Sequence, residues 1–146
     1  MNSQSIAPCG LNCALCWGFQ RSKKTCSGCN SSGAKTHYCT VCRIKTCPEK
    51  NGNDRLLCSE CPRYPCKRLK DLDKRYRFKY GESAIENFRS IAEIGLSAFV
   101  AAEEIKWRCP QCGNLVCVHR EKCLTCGEAN PHFPPNPGKP QRGTNK

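Results

Sequence analysis

Eleven of the sixteen cysteines fall within the 58 residues from Cys9 to Cys66, and their spacing constrains the fold more than any other feature. Most come as pairs two residues apart: Cys13/Cys16, Cys26/Cys29, Cys39/Cys42 and Cys58/Cys61, with Cys9, Cys47 and Cys66 beside them. A Cys-x-x-Cys turn points both sulfurs to one side of a tight loop, as tetrahedral metal ligation requires. One such pair is a weak signal; four in one segment are a strong one. His37 lies two residues before Cys39 and reads either as a loop residue facing solvent or as a ligand. Taken as a ligand, it brings the donors to twelve, enough for three four-ligand sites.

The apolar residues say why such cross-links are needed. Leu, Ile, Val and Phe make 24 of 146 residues, about 16%, below the roughly 20% under which a charged chain reads as disordered. Residues 1–66 cannot bury enough surface to offset their chain entropy without a cross-link. Metal is expected in preference to disulfides. The N-terminus has neither the basic nor the apolar segment of a secretory signal, and no run is long enough for a membrane span. A cytoplasmic chain keeps its thiols reduced and open to metal.

The formal charge of +12 suggests a nucleic-acid partner, but it leaves out the thiolates. A zinc held by four thiolates carries −2, so four such sites would take +12 down to +4.

In chain order, Cys9-x3-Cys13-x2-Cys16 opens the sequence, with Gly10 easing its turn. This spacing matches the cluster cradle of radical S-adenosylmethionine enzymes. Those enzymes need a large β/α barrel, though, and nothing here alternates strand and helix over such a length. Residues 17–25 can form a short helix or strand, and 51–53 a Gly/Asn loop. A helix over about Cys66 to Lys79 follows, with Leu69, Leu72, Tyr76 and Tyr80 on one face. Its basic residues Lys67, Arg68, Lys70, Lys74, Arg75, Arg77 and Lys79 are the candidate nucleic-acid contacts; a solvated face is the plain alternative. Gly81 ends it. Ser83 to Glu86 reads as a capping box for a second helix with Ile85, Phe88, Ile91 and Ala92 inward. Gly95 stops that helix, and Ser97 can cap a third through Leu96, Phe99, Val100 and Ile105. These helices are expected to form the hydrophobic core.

Cys109-Pro110-Gln111-Cys112-Gly113 and Cys123-Leu124-Thr125-Cys126-Gly127 read as two zinc-ribbon knuckles, the most specific motif in the chain. Leu115 to His119 between them reads as a short strand, with Cys117 and His119 as strand residues near the site. From Pro131 the chain carries five of its ten prolines and is expected to be a disordered tail. The expected organisation is a cysteine-rich multi-metal region over 1–66, a helical segment over 67–106, a zinc-ribbon-like module over 107–130 and a tail over 131–146. The fold class is a small metal-stabilised α+β protein.

These runs carry a resemblance. A-P-C-G-L-N-C-A-L-C, C-S-G-C, C-R-I-K-T-C and L-C-S-E-C-P-R-Y-P-C-K-R-L resemble the uncharacterised cysteine-rich prokaryotic family called domain of unknown function 3795. The later I-E-N-F-R-S-I-A-E-I-G-L-S-A-F, W-R-C-P-Q-C-G, V-C-V-H-R and C-L-T-C-G resemble longer members, so the similarity spans about 7–127. The family pattern places cysteines at Cys9, Cys13, Cys16, Cys26, Cys29, Cys42, Cys47, Cys58, Cys61 and Cys66, with Cys39 a departure. The resemblance implies zinc binding and supplies no activity.

Two functional classes follow. One is a structural-zinc module, with about four zinc ions, that presents a surface to nucleic acid or an acidic protein. The other is an iron–sulfur protein with a redox or catalytic role. Catalytic zinc keeps an open position and takes three protein ligands, often histidine or carboxylate. Sulfur is in surplus here, with three histidines in the chain, and no Ser/His/Asp set, phosphate-binding loop or H-E-x-x-H is present. The module is therefore expected over an enzyme.

Overall fold

The computed structural model describes residues 1–35, 39, 42–50 and 57–134. The expected contributions of His37, of the 51–53 loop and of the tail beyond 134 lie outside these residues. Among the described residues are four α-helices: α1 (Trp17–Gln20), α2 (Lys67–Tyr80), α3 (Ala84–Ile94) and α4 (Leu96–Lys106). None is long and apolar enough to cross a membrane.

The helical part of the expected α+β fold is present. Its β part, among the described residues, is reduced to three isolated bridges: Ile6 with Asn12, Arg108 with Leu115, and Lys122 with Ala129. The expected strand at Leu115–His119 is therefore one bridge residue followed by irregular chain and a turn. The Val116 amide bonds to Trp107 O and the Val118 amide to Leu15 O, so the segment turns from one partner to another instead of building a ladder.

The Cys9–Cys16 loop is laid against α3. Asn12 caps the 3₁₀ turn Cys13–Leu15 by accepting from the Ala14 amide at 3.0 Å. Gly10 has φ +91°, and a Cβ there would stand 2.9 Å from the Phe88 ring and 3.0 Å from Ala84 O. Its carbonyl accepts from Asn87 Nδ2 at 2.9 Å. Gly10 thus does more than ease a turn: it lets the first cysteine loop touch the helix. α1 follows at once and ends before the bends at 21–24.

α2 follows its sequence pattern closely. Leu69 is buried, while Leu72, Tyr76 and Tyr80 on the same face are half-buried. It ends at Gly81, φ +70°, where a Cβ would meet His132 O at 2.6 Å. Ser83 caps α3 as expected, its Oγ accepting from the Glu86 amide at 3.0 Å. The return half of the capping box is replaced, because the Ser83 amide donates to Glu82 Oε1 at 3.1 Å. Ala92 is exposed.

α4 departs from expectation at both ends. It starts at Leu96, directly after Gly95 and with no side-chain cap, so Ser97 lies inside it. Its buried face is Phe99, Val100 and Glu103, and Ile105 is 78% exposed. Two residues turn a helix by about 200°, so burying Glu103 puts Ile105 on the opposite side.

The core is three small clusters instead of one helical core. Leu69, Ala84 and Phe88 join α2 to α3, and Ile6 packs on Phe99 and Val100 of α4. The third joins Leu15 to Trp107, Val116 and Val118, outside the helices. His132 continues it, its ring 4.5 Å from that of Trp107, so the first residues after Pro131 are packed.

Candidate metal centres

The two C-terminal knuckles are built alike. In the first the Cys109 amide bonds to Asn114 O at 2.7 Å and the Gly113 amide to Cys109 O at 2.9 Å. In the second Cys123 bonds to Glu128 O at 2.7 Å and Gly127 to Cys123 O at 3.0 Å. Each hairpin aims two sulfurs at the other. Cys109 Sγ lies 3.5 Å from Cys126 Sγ, and Cys112 Sγ 3.7 Å from Cys123 Sγ. All four sulfurs fall within 4.8 Å of one another. Zinc–thiolate bonds of about 2.3 Å place tetrahedral sulfurs about 3.8 Å apart, so the donor set fits one such ion. Burial works against the Cys123 thiolate, but the amides of Cys126 and Thr125 and the neighbouring thiols outweigh it and lower its pKa. Against the Glu128 amide, burial and the same thiol contacts push Cys126 up to about 12, so the clustered sulfurs hold protons between them that a bound cation would displace.

Cys117 and His119 stand apart from this quartet. Cys117 is fully buried, with burial the main cause of its raised pKa and Cys16 among its neighbours. His119 is turned toward α1 and α2. Its Nδ1 accepts from the Trp17 amide at 3.1 Å, so the ring proton sits on Nε2, 2.9 Å from Tyr76 Oη. The Tyr80 ring meets it edge-on at 4.7 Å. Burial, with Arg120 adding, lowers its pKa to about 4 and keeps it neutral.

The N-terminal cysteines converge differently. Cys9, Cys13, Cys16, Cys26, Cys29, Cys39 and Cys42 line one cavity of about 720 Å³ together with Tyr76, Glu82 and His119. Its sulfurs already receive amides: Cys29 N–H donates to Cys13 Sγ and Gly28 N–H to Cys26 Sγ, each at 3.4 Å. Burial pushes the Cys9 thiol up to about 12, against the Leu11 amide, with Cys29, Cys42 and Cys58 adding. Cys29 is also pushed up to about 12, first through its contact with the Cys13 thiol. Burial raises Cys16. Thiols so placed resist ionising beside one another, and a bound cation relieves that resistance.

Cys47, Cys58, Cys61 and Cys66 are not on the cavity wall. Cys58 and Cys66 pack with Cys9 around the Leu69–Ala84–Phe88 cluster, and the Cys58 amide bonds to Pro8 O at 2.8 Å. Cys61 Sγ accepts from the Arg63 amide at 3.4 Å. Cys66 is the residue before α2. No disulfide links any of the sixteen cysteines.

The basic residues of α2 are all exposed. Lys67 pairs with Asp71 at 2.8 Å and Arg77 with the buried Asp73 at 2.7 Å. Arg68, Lys70, Lys74, Arg75 and Lys79 make no ion pair among the described residues. They take up the exposed circumference of the helix instead of one stripe, while Arg68 and Arg75 also reach the cavity wall.

Sequence reasoning missed the non-cysteine walls of this cavity. Tyr76 reads as a core residue of a helical stripe, and His119 as part of the distant knuckle pair. Glu82 carries no sequence signal at all. It is 4% exposed, and Glu82 Oε2 and Glu103 Oε1 find no hydrogen-bond partner among the described residues.

No curated protein and no solved structure matches the chain. One family does, and it ends at residue 71, so α3, α4 and the knuckle pair lie outside the match. Every cysteine from Cys9 to Cys66 lies inside it, the ten of the motif resemblance and Cys39 alike, while the resemblance expected to run on to about residue 127 is matched only as far as 71. Residues 5–71 of this chain match the family described as Protein of unknown function (DUF3795).

Proposed function

We propose that the chain is a structural-metal binding module. Zinc held by Cys109, Cys112, Cys123 and Cys126 fastens a zinc-ribbon-like C-terminal unit, and further metal holds the Cys9–Cys66 region, where Cys47, Cys58, Cys61, Cys66 and His37 are also offered as donors. The observation that carries this reading is the C-terminal quartet, whose sulfur spacing suits one tetrahedral ion. The N-terminal half supports it through how little aliphatic surface it buries: before α2, among the described residues, Ile6, Leu15 and Ile44 are the buried leucine, isoleucine or valine side chains. Metal-binding free energy must then serve as folding free energy, on the order of 10 kcal/mol per structural site. Reduced thiols suit the cytoplasm, and the exposed cations of α2 suit an anionic partner, nucleic acid or an acidic protein.

The test is metal analysis of protein purified without oxygen, followed by chelation with amide exchange as the readout. Zinc bound in the preparation, lost together with protection of residues 9–66 on chelation, is the expected result. Cys123→Ser should remove one metal equivalent and the tetrahedral cobalt–thiolate band of the C-terminal site. A chelated chain that keeps its amide protection, or a Cys123→Ser variant with its full metal content, would overturn the reading.

A further inference from the structure

The two cysteine regions hold sulfur at different spacings. At the C-terminal site four sulfurs lie within 4.8 Å of one another, as one ion needs. Among the described residues no other three donors come that close, although seven thiols line one cavity. Its volume of about 720 Å³ is many times the roughly 30 Å³ of a single water.

The thiols also do not sort into sets of four. Cys29 contacts both Cys13 and Cys39, and it faces Cys9. Cys39 and Cys26 both lie near Cys16, and Cys42 lies near Cys9 and Cys29. The neighbours form one branched, connected set centred on Cys29, which Cys9, Cys13, Cys39 and Cys42 all adjoin, and Cys58 lies near Cys9 beyond the wall.

We propose that the seven thiols from Cys9 to Cys42 serve one polynuclear metal–sulfur cluster, with two or more metal atoms joined through sulfur, instead of separate single-ion sites. The proposal rests on the metal-binding reading above. Two tetrahedral ions need eight donors if none is shared, but six or seven thiolates complete both when one or two bridge. In an iron cluster, inorganic sulfide supplies the bridges and thiolates hold the corners. Either way, sulfurs on different metals stand farther apart than sulfurs on one. Arg43, Arg68 and Arg75 on the cavity wall oppose the negative charge that such a cluster carries. His119 closes the wall without joining the donors, since both its ring nitrogens are engaged.

The test uses the full chain in two arms. One exchanges the bound metal for cadmium and records cadmium NMR; the other purifies without oxygen and assays iron and acid-labile sulfide. Cadmium–cadmium coupling among the cavity resonances, with the knuckle resonance single and uncoupled, is the expected result for thiolate bridging. Iron with a matching amount of sulfide is the expected result for an iron cluster. Cys13→Ser and Cys29→Ser should each shift more than one cavity resonance, or abolish the cluster, while the knuckle resonance stays. If either variant fails to fold, the unsubstituted chain still decides by coupling or sulfide. Uncoupled cavity metals without sulfide, each answering to its own substitutions, would overturn the cluster and leave metal binding intact. A preparation that holds no metal outside the knuckles would overturn both.

Discussion

Cys117 sits in sequence between the two knuckles, yet it is fully buried and outside the sulfur quartet. Spacing cannot separate such a residue from a ligand, because position along the chain does not say which way a side chain turns. Cys117→Ser should leave the metal content unchanged while costing stability, about 1–3 kcal/mol for a buried hydroxyl without a good partner. Metal analysis with denaturant melts checks this; a lost metal equivalent would make Cys117 a ligand. Glu82 gives a second test. Burial first, with the Glu103 charge adding and Lys106 opposing, raises its pKa from 4.5 to about 7. Between these values the folded chain holds a proton that the unfolded chain has released, so stability falls as pH rises through that window. Glu82→Gln removes the charge and keeps the shape. It should be more stable than the parent at about pH 8 by up to about 3 kcal/mol, with the gain vanishing toward about pH 5. Denaturant midpoints of metal-loaded protein measure it, and a difference that does not change with pH would show that Glu82 is not the group titrating.

At the scale of elements, α2 and α3 are joined through Asp73. The buried carboxylate accepts from Ser83 Oγ at 2.7 Å, from the Ile85 amide at 3.0 Å and from Arg77 Nε at 2.7 Å. Ser83 was legible as a cap because the signal is local: a serine three residues before a glutamate. Asp73 was not, since its two α3 partners are ten and twelve residues away and nothing periodic connects them. Ser83→Ala should lower stability by about 1–2 kcal/mol through the lost cap. Asp73→Ala should cost about 2–3 kcal/mol by stranding the Ile85 amide and Arg77. The double variant should cost less than the sum, because the two share one bond; strict additivity in thermal melts would argue against the shared hub. The failure at α4 has the opposite cause. Its apolar residues occur nearly all round, so the pattern cannot choose a face, and packing against Ile6 and Trp107 chooses it through Phe99, Val100 and Glu103.

For the whole molecule, the +12 formal charge and the proposed metal–thiolate sites bear on one another. If the α2 cations serve an anionic partner, reversing Arg68, Lys70, Lys74 and Arg75 should weaken retention on heparin or RNA, and binding by the parent chain should fall as salt rises. Unchanged retention would leave these residues as a solvated face. Arg68 and Arg75 also line the cysteine cavity, so metal content should be measured on the same variants. Lys70→Glu with Lys74→Glu, which touches no cavity residue, separates the two roles.

A cysteine pattern able to hold metal, α2 with its glycine stop, the cap of α3 and the knuckle quartet were all written in local sequence. Each of these depends on residues within about twenty positions of one another, where spacing translates directly into geometry. It takes the packed fold to bring seven of the N-terminal cysteines to one cavity, to wall it with His119 and Tyr76, and to pack Leu15 on Trp107 from 92 positions away. Those contacts join positions up to about a hundred residues apart in a chain poor in aliphatic side chains. No periodicity records such pairings, because each is made by one or two residues whose direction is set by everything packed around them.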